Sequence, residues 1–88
     1  MEKFTLGNVT LVKMEAQQYA TTYGQQYGDN VVAVVWAEQY NTDGDIVASS
    51  TENMLVYANG QYAYTSRGIV CIDTLSNCLA VALALEQF

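Results

Sequence analysis

Hydrophobic and polar residues alternate at the start of the chain, and the spacing then becomes helical. In KFTLGNVTLV the alternation surrounds Gly7-Asn8, a pair that suits the tight turn of a β-hairpin. Over residues 13 to 24 apolar side chains recur every three or four positions, which predicts a helix that Gly24 closes. The predicted core-facing stripe of this helix contains Val12, Ala16, Tyr19, Ala20 and Tyr23.

The run from Val31 to Tyr40 is apolar at most positions, so apolar residues occupy both faces of the predicted strand. Such a run is typical of a central strand covered on both sides, or of a strand embedded in an interface. Asp43-Gly44 then predicts a turn into a further strand from Ile46 to Ser50.

The clearest local pattern is MLVYANGQYAYTS, in which Asn59-Gly60 separates two runs of β-forming residues. It predicts a β-hairpin. Arg67-Gly68 predicts a second turn, and GIVCID a strand after it. Because these connections are so short, neighbouring strands are expected to be antiparallel.

A C-terminal helix is predicted over residues 75 to 86, with Asp73 or Thr74 as its N-cap. The expected inner stripe contains Leu75, Cys78, Leu79, Ala82, Leu83 and Leu85. The remaining flank carries Ala80, Val81 and Ala84 where charge is usual, so it is the predicted interface of a homodimer. The alternative is that alanine is present there only as a good helix former.

These elements predict an α+β fold in a single domain, residues 1–88. It consists of an antiparallel sheet of five or six strands with two helices packed against it, the second of them C-terminal. The composition of 51% hydrophobic and 14% charged residues is that of a chain that folds, not of a disordered one.

The charge balance excludes a nucleic-acid interface. Lys3, Lys13 and Arg67 are opposed by nine carboxylates, for a net charge of -6. Nucleic-acid binding requires a cationic surface that neutralises phosphates, and three separate cations do not provide one. The same negative charge favours approach to basic protein surfaces.

The sequence offers no catalytic or metal-binding pattern. It has no histidine to act as a base or ligand, and no C-x-x-C pair. Cys71 and Cys78 lie in apolar segments, which favours two buried thiols, with a disulfide as the alternative. We therefore predict a protein that is not an enzyme and has neither metal nor cofactor.

The N-terminal segment MEKFTLGNV lacks the apolar run of a signal peptide, and no stretch reaches the length of a membrane span. The sequence is thus expected to be cytoplasmic, without a membrane partner.

The segment QYAYTSRGIVC, residues 61–71, resembles a stretch near the C-terminus of a small type II-C anti-CRISPR family. Members of that family are phage-derived inhibitors that dock on the HNH nuclease domain of an RNA-guided DNA nuclease. The resemblance implies that Ser66 and the segment ending at Cys71 approach the partner's active site. The Ser-Cys pair of the family falls on Val70-Cys71 with an offset of one residue, and here the chain continues into a helix that the family lacks at that point.

Taken together, the sequence predicts a small acidic inhibitor, phage or mobile-element encoded, that covers a basic site on a nucleic-acid-handling host protein. The predicted contact residues are Tyr57, Tyr62, Tyr64 and Ser66, since tyrosine provides large rigid contact area at interfaces. Two alternatives are a homo-oligomeric structural module and a small-ligand binder with a pocket lined by Tyr57, Tyr62 and Tyr64.

Overall fold

A computed structural model describes residues 1–40, 42–48 and 51–86, and for Gln39, residues 46–48 and Glu86 it describes the backbone alone. The strands are β1 (Glu2–Leu6), β2 (Val9–Glu15), β3 (Val31–Tyr40), β4 (Ile46–Ala48), β5 (Met54–Tyr57), β6 (Tyr62–Ser66) and β7 (Ile69–Asp73). The helices are α1 (Ala16–Tyr23) and α2 (Leu75–Glu86).

Six strands form an antiparallel sheet in the order β1-β2-β3-β5-β6-β7, and the short β4 pairs with the end of β3. The predicted α+β fold, with its antiparallel sheet and second, C-terminal helix, is confirmed. Of the predicted strand from Ile46 to Ser50, the last two residues lie outside the described part of the chain.

The three tight turns follow from local sequence. Gly7-Asn8 joins β1 to β2, Asn59-Gly60 lies between β5 and β6, and Arg67-Gly68 joins β6 to β7. Both Arg67 (φ 53°) and Gly68 (φ 79°) have the left-handed backbone that a type I′ hairpin turn requires at its two central residues. The antiparallel pairing of these three strand pairs is therefore determined by short-range turn chemistry.

The predicted start of the first helix is wrong. Residues 13–15 belong to β2, where they pair with Val35, Val34 and Ala33 of β3. The extended backbone there is held by the ladder with β3, so α1 begins only when that pairing ends. Gly24 closes the helix as predicted, with φ 73° and its N–H bonded to the carbonyl of Ala20.

The sheet separates two cores. On one side, which we name the α2 face, α2 packs against the sheet. The buried residues there are Leu11, Ala33, Val35, Ala37, Met54, Val56, Tyr64, Cys78, Leu79 and Ala82. The other side, named the α1 face, has the smaller buried set of Val12, Met14, Tyr19, Val34 and Trp36. Val34 and Val35 are both fully buried on opposite faces, which confirms β3 as a central strand covered on both sides.

The N-terminus of α2 is capped as the sequence predicts. The Asn77 N–H donates to Oγ1 of Thr74 at 3.3 Å, and the Asp73 carboxylate accepts from the Thr74 N–H at 2.7 Å. Cys78, Leu79 and Ala82 of α2 are buried against the sheet. The cap therefore fixes where α2 starts on the α2 face.

Within the described residues, neither helix is both long enough and apolar enough to cross a membrane.

Candidate functional site

The predicted contact residues do not form a single surface. Tyr62 and Tyr64 share one side of β6, as strand alternation predicts, but that side is the α2 face. Tyr64 is completely buried there, so its assignment as a partner-binding residue is corrected: its side chain has no surface to offer. Tyr62 and Ser66 are half-buried, and their partner contacts stay predictions.

Tyr57 belongs to the opposite side of the sheet. It lines a depression together with Leu55 and Ala63, whereas Tyr62 and Tyr64 pack in the core beneath α2. The proposed pocket made of these three tyrosines is therefore wrong, since they do not face a common space. What Tyr57 does adjoin is the aromatic part of the α1 face.

The aromatic residues of α1 and β3 come together on the α1 face. The rings of Tyr19 and Tyr23 lie 4.6 Å apart at an interplanar angle of 41°, and Tyr19 also contacts Tyr27, with ring centroids 5.9 Å apart. The Trp36 ring meets Tyr19 and Tyr23 edge-on, at 6.1 and 6.4 Å. Edge-to-face and tilted rings at such separations attract one another and order the cluster.

The local sequence explains these positions. Tyr19 and Tyr23 are one helical turn apart on α1, and Trp36 shares one face of β3 with Val34 and Glu38. Asn53, just before β5, donates from Nδ2 to the Tyr19 hydroxyl at 2.6 Å. This bond holds the buried end of the cluster against the sheet.

Tyr23 departs from the sequence prediction. The stripe was expected to face the core, yet 57% of Tyr23 is exposed, while Tyr19 is buried. Tyr23 is the last residue of α1, one turn beyond the buried Tyr19. Tyr23 therefore presents its ring partly to solvent and partly to Trp36.

Two adjacent depressions run along this cluster, and Asn53 lines both. The first, of about 240 Å³, is lined by Tyr19, Tyr23, Trp36, Glu38 and Asn53. The second, of about 250 Å³, is lined by Gln25, Tyr27, Glu52, Asn53, Leu55, Tyr57, Ala63 and Thr65. We call the two together the aromatic groove. Its charged lining residues are Glu38 and Glu52, and no lysine or arginine lines it.

The carboxylate of Glu38 is oriented by its neighbours. It accepts a hydrogen bond from the Tyr40 hydroxyl, which in turn accepts from Nζ of Lys3 at 3.0 Å. Lys3 Nζ lies 3.9 Å from Glu38 Oε1, and the Tyr40 hydrogen bond is the main cause that raises the pKa of Lys3. Because Lys3 is largely exposed, this ion pair contributes little stability, whereas the hydrogen bond from Tyr40 orients the carboxylate.

Two larger depressions elsewhere are lined by residues that are less suited to binding a charged group. One of about 560 Å³ is lined by Met1, Glu2, Lys13, Glu15, Val32 and Ala33, a mixture of charges without an aromatic ring. Another, of about 370 Å³, lies by the Asn59-Gly60 turn and is lined by Asn30, Tyr57, Ala58, Asn59, Gln61 and Ile72. Neither combines rings with charge of one sign, which the aromatic groove does.

Both thiols are free and lie near each other, but of the two predicted buried thiols only Cys78 is buried, while Cys71 is half-buried. Cys78 Sγ is 3.7 Å from Cys71 Sγ and 3.5 Å from the Tyr62 carbonyl oxygen. Burial, followed by its hydrogen bond to Cys71, raises the pKa of the Cys78 thiol to about 11. The thiolate is the nucleophilic form, so Cys78 is suited to packing and not to attack at neutral pH.

Among the residues that the structure describes, no group of three or more cysteine, aspartate or glutamate side chains is placed to hold a metal ion.

Sequence reasoning missed the aromatic groove because its walls come from separate segments. Trp36, Tyr57 and the tyrosines of α1 are distant in the chain, and only the order of β3 and β5 in the sheet brings them together. One usable signal was present: Trp36 and Glu38 stand two apart on a predicted strand, and so share a face.

Comparison of the chain with protein-family models, with curated proteins and with solved structures found no match.

Proposed function

We propose that this protein is a small acidic inhibitor that binds a basic site on a nucleic-acid-handling protein, with the aromatic groove as its contact surface. The observation that carries the proposal is the composition of that groove. It combines four tyrosine rings and one tryptophan ring with two carboxylates, and it has no cationic lining residue.

Aromatic rings beside carboxylates are suited to arginine and lysine side chains. A guanidinium stacks on the face of a tyrosine or tryptophan and forms charge-assisted hydrogen bonds to a carboxylate. Tyr23 is exposed next to Trp36, and the oriented Glu38 lines the same depression. A cationic side chain entering there would meet a ring and a carboxylate together.

The charge of the whole protein supports the same partner class. A net charge of -6 on 88 residues attracts basic surfaces over a distance and speeds their encounter. Surfaces that bind nucleic acid are rich in lysine and arginine. A protein bound there excludes the nucleic acid, which is how binding alone would inhibit.

The resemblance of residues 61–71 to type II-C anti-CRISPR proteins adds a candidate target, the HNH domain of an RNA-guided nuclease, and a phage or mobile-element origin with action in the host cytoplasm. Ser66 and Tyr62, at opposite ends of β6, would then contribute to the contact. This part of the proposal rests on the resemblance alone.

The first experiment probes the groove with a short arginine-rich peptide. Trp36 is the sole tryptophan, so its fluorescence reports directly on the groove. We expect saturable quenching that weakens with salt and is absent with a peptide in which glutamine replaces arginine. Tyr23→Ala and Glu38→Gln should each weaken binding roughly tenfold, whereas Thr22→Ala, at an exposed position of α1, should not.

The second experiment measures DNA cleavage by a purified type II-C RNA-guided nuclease with the wild-type protein and the same variants. Inhibition that Tyr23→Ala weakens supports the target and the surface together. Peptide binding without inhibition would reject this nuclease as the target. Absence of peptide binding by the wild-type protein would reject the groove as a cation-binding surface.

A further inference from the structure

The strand β7 ends the sheet with an open edge. The sheet path terminates at β7, and no strand in the described part of the chain pairs with its outer side. Ser66 and Ile69 flank the two-residue turn, and such a pair exchanges both of its main-chain hydrogen bonds. The alternation of an antiparallel ladder then directs the N–H and C=O groups of Val70 and Ile72 outward.

This edge is also apolar. Ile69 is 46%, Val70 60% and Ile72 55% exposed, and the strand IVCID contains neither lysine nor proline. Soluble proteins usually protect an edge strand with such residues, because unpaired main-chain groups recruit another strand. The opposite edge, β1, has that protection in Glu2 and Lys3.

We propose that two copies of this protein pair through β7, antiparallel about a two-fold axis at Cys71, so that one sheet continues across both copies. In this register Val70 of each copy is opposite Ile72 of the other, and each such pair exchanges two main-chain hydrogen bonds. The outward groups of both residues are then satisfied. Their side chains, on the α1 face, meet as β-branched cross-strand pairs.

Charge complementarity selects a second copy as the occupant. The same register places Asp73 of one copy opposite Ile69 of the other, beside the β6–β7 turn that carries Arg67. Opposite charges are then found at the same end of the interface. Arg67 is one of only three cationic side chains in the chain. Because the dimer has two-fold symmetry, Arg67 of one copy is near Asp73 of the other at each end of the paired strands.

Disulfide cross-linking through Cys71 tests this pairing of β7 strands directly. At the two-fold axis, Cys71 of one copy lies directly opposite Cys71 of the other. The two residues form a pair without main-chain hydrogen bonds, in which the two Cα atoms are about 4.5 Å apart. That separation is within the range that a disulfide spans. In the Cys78→Ala variant, which removes the competing thiol 3.7 Å away, mild oxidation should yield a covalent dimer. The Cys71→Ser/Cys78→Ala variant should yield none.

Sedimentation equilibrium tests the interface without cross-linking. Ile72→Lys places like charges at the edge, and we expect it to weaken the dimer roughly tenfold or more. The control is Val32→Lys, since Val32 on the central strand β3 is 47% exposed and lies away from β7. It should leave the dimer unchanged, and circular dichroism should show both variants folded.

Three results would overturn the proposal. One is a wild-type monomer at every attainable concentration. Another is a dimer that survives Ile72→Lys but is lost in Ala84→Glu, which would move the interface to the exposed flank of α2. The last is a monomer that binds an extended peptide along β7, which would assign the edge to a different partner. The aromatic groove is tested separately, so failure here leaves the proposed function standing.

Discussion

The two faces of the sheet are covered to different extents. On the α2 face a twelve-residue helix buries Cys78, Leu79 and Ala82 and closes the core above Tyr64. On the α1 face a helix of eight residues buries only Tyr19, and its neighbour Tyr23 remains exposed. The aromatic groove lies on this face, lined by residues of α1 and of the sheet.

The α2 face provides most of the stability, whereas the α1 face carries the proposed binding surface. Burial of apolar side chains is the main favourable contribution to folding, and the larger buried set lies beneath α2. A surface that binds a partner needs rings and charge left accessible. Substitutions on the two faces should therefore differ in kind: those beneath α2 affect folding, and those in the groove affect binding.

The largest expected effect is that of Tyr64→Ala. Removing this fully buried ring leaves a cavity in the α2 face and should lower the free energy of unfolding by about 3–5 kcal/mol. Tyr23→Ala, on the α1 face, should lower it by about 1 kcal/mol or less, because that ring is more than half exposed. Urea denaturation followed by circular dichroism measures both. Equal losses in the two variants would contradict the division between the faces.

A smaller effect is expected within the α1 face. Asn53→Ala removes the hydrogen bond to the partly buried Tyr19 hydroxyl and should cost about 1 kcal/mol. Asn77→Ala, at an exposed position of α2, is the matched control and should change stability by less than about 0.5 kcal/mol. If Asn53→Ala left both stability and the fluorescence of Trp36 unchanged, the bond would not order the aromatic cluster.

The smallest expected effect is a loss of stability at alkaline pH, caused by the buried thiol of Cys78 on the α2 face. Burial raises the pKa of Cys78 from 9.0 to about 11, so the unfolded chain loses this proton first. The stability contributed by the protonated thiol is complete below pH 9 and is lost as pH rises towards 11. Urea midpoints should fall more over this interval for the wild type than for Cys78→Ala. Parallel curves would show that the thiol is not protected by the fold.

Much of the fold could be predicted because its signals are local. The turns at Gly7-Asn8, Asn59-Gly60 and Arg67-Gly68 are specified by residues that accept left-handed backbone, and each one makes its flanking strands antiparallel. The N-cap at Thr74 and the closing residue Gly24 likewise act within one helical turn.

The candidate site was less predictable, because strand alternation says which side chains share a face but not what covers it. Tyr62 and Tyr64 do share a face, as predicted, yet only the position of α2 places that face in the core. Tyr23 shows the converse, since its helical spacing from Tyr19 is as predicted, yet its side chain at the end of α1 is exposed.

By itself, the sequence determined the antiparallel connectivity, the two helices and the negative charge, all of which depend on composition or on residues close in the chain. The tertiary structure alone decided that Lys13 to Glu15 are extended, that Cys71 and Cys78 meet, and that Trp36 joins the tyrosines of α1. The physical reason is that each of these contacts joins two different elements of the fold, and the way those elements pack results from burial over the whole sheet.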